Sequence, residues 1–367
     1  MVKICTILGT RPEIIRLSRL IPLFDNFFDH ILINTNQNFV YELNKIFFNK
    51  LKLRKPDYEL NNNNKNFKLG KMFDQINDLL IENMPDAIFI LGDTDSSLSS
   101  IVAKRLGITI FHYEAGNRCF EKKVPEEVNR KLVDSISDIN FTYSEFSRNN
   151  LLNEGKSVQE VICVGSPMKE VLNHYWVDIN KSKILQELSI NTKEYILISI
   201  HRQETVNNEK NLRVLFENLN LLHKKNNKDI VWPIHPRTSD KISKFGFNFP
   251  SYIKLINPQS FQDYIALQRN SYLVLSDSGT IAEETSLLGL KSLNIRKEFE
   301  RQEILNSEII PLVGLDFESW ETGLKLVSSN KIKQEPFSDI KEYNYDNVSK
   351  NIVSNIITHL TRIKKYE

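Results

Sequence analysis

Apolar and polar positions along the chain follow two rhythms. Short runs rich in β-branched and aromatic residues, Lys3–Leu8, Ile31–Asn34, Ala87–Leu91, Ile108–Tyr113, Ile139–Thr142 and Val161–Val164, read as buried strands. Between them lie longer stretches with apolar residues at helical spacing: Pro12 to about Asp25, Tyr41–Phe48, Phe67–Glu82, Ser97–Leu106, Glu126–Ile136 and Glu145–Glu154. Pro56–Asn66 is Asn-rich and unpatterned and reads as a surface loop. After the helix that starts near Pro167 and a polar connector near Asp178–Ser182, the alternation resumes. Its strands are Tyr195–Ser199, Ile230–Ile234, Ile253–Ile256, Tyr272–Ser276, Ser292–Ile295 and Ile309–Leu312, with helices Asn211–Leu222, Phe261–Asn270 and Ile281–Leu288 among them. A helix from about Asp346 to Lys364 closes the chain.

Strands alternating with helices predict an α/β protein built on parallel, doubly wound sheets. At 367 residues the chain exceeds what one growing core accommodates. Two Rossmann-like domains with a central cleft are therefore expected: 1–170, joined by the C-terminal helix 346–367, and 171–345. Lysine and arginine total 48 against 46 acidic residues, a net charge of +2, so no global nucleic-acid signal exists and anion recognition must come from local placement. Three cysteines do not make a disulfide framework. Cys5 and Cys163 fall in strand-like runs and read as core, whereas Cys119 stays open. Arg11 interrupts any signal-peptide core and no apolar run reaches membrane-spanning length, which gives the expectation of a cytoplasmic protein with no membrane partner.

Neither GxGxxG nor GxxxxGK[ST] occurs, which removes the two commonest nucleotide fingerprints. There is no HExxH, no zinc spacing and no GxSxG, so no metal and no nucleophile motif is expected, and the absent nucleotide fingerprints count against a nicotinamide cofactor. What the sequence offers instead is polar residues at predicted strand ends, where ligands of open α/β sheets bind. Gly9-Thr10-Arg11-Pro12-Glu13, with Arg16 one turn on, suits an anion site; surface arginines beside a helix-starting proline are the plain reading. The run Phe111–Arg130 delivers Glu114 onto a loop and places Glu126 at a helix start. The two carboxylates form an acid/base pair or merely favour the helix dipole. His201 and His235 each follow a predicted strand directly, with Arg202 and Arg237 close behind. Ser276-Asp277-Ser278-Gly279-Thr280 leads from strand to helix, with Glu283 and Glu284 in the first turn, and suits a diphosphate and ribose hydroxyls.

Taken in order, GTRPE, GDT, EAGNR, PEEVNR, the post-strand His201-Arg202-Gln203-Glu204 and DSGT followed by Glu283-Glu284 resemble the non-hydrolysing UDP-N-acetylglucosamine 2-epimerase family over nearly the whole chain. The resemblance implies a glycosyltransferase-B-like fold, a homodimer, no metal or redox cofactor, and inversion of C2 of a UDP-linked 2-acetamido sugar. It implies acid/base roles for Asp93, Glu114 and Glu126, with His201 as the fourth catalytic group. Arg11 matches the arginine near the diphosphate, and Arg16 stands where the family usually has lysine. Ser278, Gly279 and Thr280 match the diphosphate loop, with threonine in place of a second glycine. Glu284 matches the ribose ligand, Tyr264 the uracil platform and Arg301 a further anion contact. Asn117, Arg118, Arg130, Arg202 and His235 complete the expected substrate-binding set.

The departures bear on the sugar. EAGNRCF replaces the usual EAGLRT, and GSPMKEVL and IHPR resemble the branch that makes UDP-N-acetyl-L-fucosamine from UDP-2-acetamido-2,6-dideoxy-L-talose for capsule or O-antigen synthesis. Phe120 would suit a C6 methyl group. Gln37 is followed by Asn38 and Val40 rather than the family's activating residues, which puts allosteric activation in doubt.

Overall fold

The computed structural model describes residues 1–37, 45–61, 68–121, 124–296, 300–306, 310–329 and 340–363. The chain divides into two compact units, Met1–His174 with Lys341–Glu367, and Tyr175–Ile340.

The first unit carries a seven-stranded, wholly parallel sheet. Its strands are β1 (Lys3–Leu8), β2 (Asp29–Asn34), β3 (Tyr58–Glu59), β4 (Ala87–Leu91), β5 (Thr109–Ala115), β6 (Ile139–Thr142) and β7 (Val161–Cys163), in the order β3-β2-β1-β4-β5-β6-β7. The order reverses between β1 and β4, the switch point at which doubly wound sheets open a crevice beyond their carboxyl ends. Both faces are covered, which is why the strands read as continuous apolar runs rather than alternating ones. On one face Cys5, Ile7, Ile88, Ile90 and Ile110 pack with Met72, Ile76 and Leu80 of the helix Leu69–Asn83. On the other, Phe24 meets Phe89 edge-on at 5.1 Å, and His359 of the final helix, Val348–Ile363, meets Phe111 at 5.6 Å. The last helix thus returns to cover the first sheet.

The second unit repeats the plan with five parallel strands: β8 (Tyr195–Ser199), β9 (Asp229–Pro233), β10 (Ile253–Ile256), β11 (Leu273–Ser276) and β12 (Ser292–Asn294), ordered β10-β9-β8-β11-β12. Ile196, Ile198, Trp232, Leu273 and Leu275 form its buried centre with Leu212, Leu215 and Leu219 of the helix Glu209–Asn226. Each fully buried Ile or Leu contributes about 1.5–3 kcal/mol.

Several sequence expectations need correcting. The first helix is broken into Arg11–Leu17 and Leu20–Phe27. Tyr58–Glu59, inside the stretch read as a loop, adds a short edge strand. The expected strand at 309–312 reduces to one bridge between Leu312 and Asn294. A helix, Pro236–Lys244, follows β9 directly. Cys163 is only partly buried, whereas Cys5 is fully buried. Asn38, Val40, residues 41–44, 62–67, 309 and 364, and the side chains of Gln203, Glu204 and Arg237, lie outside the described residues.

Candidate active site

In the first unit three strand ends bring carboxylates together. Glu114 is not on a loop; it is the penultimate residue of β5, with φ +70°, and the β5–β6 register slips between Tyr113 and Ala115 around it. A left-handed conformation in a residue with a long side chain is strained by about 1–3 kcal/mol, and such strain gathers at functional sites. Here it swings the carboxylate to the end of the sheet. A methyl group placed on Gly92 would come within 3.5 Å of Glu114 Oε2, so the carboxylate lies beside the turn that carries Asp93. Gly92 itself has φ +72° and donates its N–H to the Tyr113 carbonyl at 2.8 Å, which locks that turn to β5.

Arg16 is placed differently from the expected anion site. Its Nη1 lies 2.8 Å from Glu114 Oε2 and donates to Tyr143 Oη at 2.8 Å, and the guanidinium sits 5.2 Å from the Tyr143 ring centroid. Arg16 is therefore a partner of the Glu114 carboxylate. The backbone N–H groups expected to meet an anion are also engaged, because Gly9 and Thr10 donate to Glu13 Oε2 at 2.6 and 2.7 Å. Thr94 Oγ1 donates to Glu13 Oε1 at 2.5 Å, so Glu13 ties the β1 end to the residue after Asp93. Burial pushes the Glu13 carboxyl up to about 7 against these donated hydrogen bonds. Arg11 is half-buried, with its guanidinium 5.9 Å from the Phe47 ring centroid.

The helix Pro125–Ile136 sorts its two first-turn glutamates by phase. Glu126 is exposed, whereas Glu127 is buried and accepts from Cys119 N at 3.1 Å and Arg130 Nη1 at 2.8 Å. Arg130 also donates through Nε and Nη2 to Asp93 Oδ2 at 3.0 and 2.5 Å. These two bonds fix the Asp93 carboxylate. Asp93 remains partly open, with 29% of its side chain exposed.

Arg118 and Asn117 face inward. Arg118 is fully buried, donating to Glu154 at 2.8 and 2.5 Å, to Asp134 Oδ2 at 2.7 Å and to the Asn117 carbonyl at 2.7 Å. Asn117 Oδ1 accepts from Ser147 Oγ at 2.9 Å. Asp134 also lies 2.9 Å from His112 Nδ1 and receives Gly116 N–H. Burial works against its charge, yet His112 and Arg118 hold the Asp134 carboxyl below the ordinary range. Asn117 and Arg118, expected to bind substrate, anchor the loop after β5 through these bonds. Beyond that anchor Phe120 stands 63% exposed with φ +60°.

In the second unit His201 and Arg202 follow β8, and Ser278-Gly279-Thr280 follows β11, its hydrogen-bonded neighbour at the switch point. Buried Asp277 joins the two ends: it accepts the backbone N–H groups of His201 and Arg202 at 3.0 and 2.9 Å, and its Oδ1 lies 3.1 Å from His201 Nδ1. Arg202 Nε donates to the Asp277 carbonyl at 3.0 Å. Burial opposes ionisation of Asp277, but the His201 charge and hydrogen bond with the two backbone donors hold its carboxyl below the ordinary range. Thr280 directly precedes the helix Ile281–Leu288, and its hydroxyl is 3.0 Å from Ser278 Oγ. A side chain on Gly279 would meet Glu300 Oε1 at 2.7 Å; Glu300 is 2.6 Å from Arg296 and 3.7 Å from Arg202. Glu284 is buried and accepts from Gln268 Nε2 at 2.6 Å, while buried Arg301 faces Glu283 at 3.5 Å. Tyr264 is half-buried on the helix Phe261–Asn270, and His235 is half-buried after β9. Among the described residues no cluster of three or more His, Cys, Asp or Glu is arranged to hold a metal ion, and no helix is long and apolar enough to cross a membrane.

Sequence reasoning missed Glu127, Tyr143 and Asp277 as organisers of the site. The available signal was their neighbourhood: each is within two residues of a strand end or a recognised motif.

Residues 24–357 match the family described as UDP-N-acetylglucosamine 2-epimerase. The chain belongs to that epimerase family. Its two parallel-sheet domains have the glycosyltransferase-B-like fold of solved epimerases. The UDP-N-acetylglucosamine 2-epimerase of Rickettsia bellii is similar at 39% identity and a TM-score of 0.90, covering 100% of this chain and 98% of that one. The Methanocaldococcus jannaschii UDP-GlcNAc 2-epimerase, solved in complex with UDP-GlcNAc and UDP, is 32% identical with a TM-score of 0.88, over 98% and 100% of the two chains. A UDP-2,3-diacetamido-2,3-dideoxy-D-glucuronate 2-epimerase of Pseudomonas aeruginosa is 30% identical over 320 residues, 85% of this chain and 88% of that protein. Epimerase relatives of this chain therefore carry the names of more than one sugar.

Proposed function

We propose that the chain inverts C2 of a UDP-linked 2-acetamido sugar by eliminating UDP and adding it back. The C2 proton has no carbonyl beside it to acidify it, so removal must be coupled to departure of a group on C1. A base takes the C2 proton, the C1–oxygen bond breaks with its electron pair leaving on UDP, and a 2-acetamidoglycal results. Readdition of UDP at C1 with protonation of C2 from the opposite face completes the inversion. This needs proton carriers on two faces and stabilisation of the leaving diphosphate.

The observation that carries the reading is Glu114, held at φ +70° so that its carboxylate lies beside the Asp93 turn with Arg16 on its oxygen. We assign Asp93, Glu114, Glu126 and His201 to the proton transfers. Ser278, Gly279 and Thr280, with Arg202, are assigned to the diphosphate, Tyr264 to uracil and Glu284 to ribose.

For the sugar we propose UDP-2-acetamido-2,6-dideoxy-L-talose, giving UDP-N-acetyl-L-fucosamine. What supports it is the EAGNRCF departure together with Phe120, the exposed side chain of that loop and apolar as a C6 methyl group requires. The names of the 39% and 32% identical structures favour a second reading, UDP-N-acetylglucosamine and UDP-N-acetylmannosamine. Incubation with each UDP sugar in deuterated water, followed by NMR at C2, separates the two. Epimerisation of the 6-deoxy sugar with deuterium entering C2 is expected; exchange with none of the UDP sugars sinks the elimination mechanism. Phe120→Ser should erode the preference for the 6-deoxy sugar, and an unchanged preference removes Phe120 from the argument.

A further inference from the structure

We propose that Asp277 is the positioning residue for His201, setting which ring nitrogen is free to carry a proton in the reaction. This rests on the reading of His201 as a catalytic group. Asp277 is 2% exposed, whereas the His201 side chain is 53% exposed, so the carboxylate lies beneath the ring and the ring faces out. A carboxylate accepts only, so the 3.1 Å approach of His201 Nδ1 to Asp277 Oδ1 puts the hydrogen on Nδ1. Nε2 is left as the outward lone pair, ready to take a proton, and the buried carboxylate stabilises the imidazolium once it has. The same carboxylate holds the backbone N–H groups of His201 and Arg202, and its residue begins the Ser278-Gly279-Thr280 turn. One side chain thus sets the tautomer of the ring and ties the ring's strand to the diphosphate loop. Among the described residues of this unit, Glu300 lies 3.7 Å from Arg202 and 2.6 Å from Arg296 beside the same turn, so its charge is directed to those guanidiniums.

Asp277→Asn is the informative change. The Asn carbonyl keeps the two backbone N–H bonds, while its NH2 turns toward Nδ1 and forces that nitrogen to accept. The hydrogen then sits on Nε2, where it blocks proton uptake. The expected results are a ring that changes from the Nδ1–H to the Nε2–H tautomer in 15N–1H spectra, UDP affinity within about threefold of wild type, and kcat/KM lower by roughly 10⁴-fold, the scale of a misdirected tautomer. In a His201→Ala background the same change should add no more than about threefold, because Asp277 acts through the ring. An unaltered tautomer in Asp277→Asn, or an equal further loss without His201, overturns the proposal. If His201→Ala leaves turnover intact, the catalytic reading of His201 fails, while the spectra still decide whether Asp277 sets the ring.

Discussion

Replacing Arg118 with leucine tests whether this arginine serves substrate or scaffold. The side chain fits the hole roughly in volume, but four donated hydrogen bonds vanish, three of them to carboxylates. Glu154 is 41% exposed on its side chain and recovers water, so its loss is small. Asp134 is the costly partner, 1% exposed and left with the His112 ring and the Gly116 N–H beside it. Breaking a buried pair by removing one member costs about 3–5 kcal/mol. For a unit of this size, at about 2–4 °C per kcal/mol, the midpoint of the first unit's unfolding should fall by roughly 10 °C. Scanning calorimetry reads that loss, and titration calorimetry with UDP, together with KM at a temperature where the variant is folded, reads the site. Stability should fall while UDP affinity and KM stay within about twofold. Unchanged stability with a tenfold rise in KM would falsify the scaffold role and restore Arg118 to the substrate. Asp134→Asn combined with Arg118→Leu should recover part of the loss, because the uncompensated buried charge is then gone.

Asp93→Asn and Glu114→Gln should each lower kcat by at least about 10²-fold while leaving UDP affinity near wild type, as expected for proton-transfer groups; equal losses in both quantities would make them structural. Glu13 makes a prediction about pH. Its carboxyl titrates at about 7 in the fold against an ordinary 4.5, so the folded state holds the proton more tightly. Its contribution is complete below 4.5 and disappears as pH rises through about 7, a change of at most about 3 kcal/mol at ~1.36 kcal/mol per unit. Glu13→Gln should flatten that part of the stability curve in denaturant titrations across pH, and a curve of unchanged slope refutes the assignment. Gly116→Ala places a methyl 2.2 Å from the Ser147 carbonyl oxygen at φ +79°, whereas Gly92→Ala meets nothing closer than 3.5 Å at φ +72°. The first should cost at least about 3 kcal/mol and the second about 1–2 kcal/mol, by chemical denaturation; similar costs would show that steric overlap is not the cause.

The sheets were legible because burial on both faces makes a parallel strand an apolar run, and β4, β6 and β8 fall where such runs do. Predicted strand ends pointed to Glu114, His201 and Ser278, since a doubly wound sheet places its chemistry there, and the family resemblance added Asp93. The pairing of those residues was not legible. Arg16 meets Glu114 across 98 positions of sequence and Arg130 meets Asp93 across 37, and a guanidinium on a ligand reads the same in sequence as one on a neighbour's carboxylate. Helix phase hid the division between Glu126 and Glu127, because a one-residue step turns a side chain by 100° and nothing in PEEVNR fixes the first turn's angle. The slip in β5 was hidden for a different reason. Glutamate does not announce a left-handed conformation as glycine does.

That slip makes residue 114 a place where durability and turnover oppose each other. Glycine there would relax the backbone by about 1 kcal/mol or more, but it would also leave buried Arg16 without the carboxylate it pairs with. It would also delete the carboxylate that the distortion exists to present. Libraries screened for residual fold should therefore rank Glu114→Gly above Glu114→Ala, which loses the same ion pair but keeps the strained backbone, and libraries screened for epimer formation should lose both, so the gap between the two codons in the fold screen measures what the protein gives up to keep this carboxylate in place.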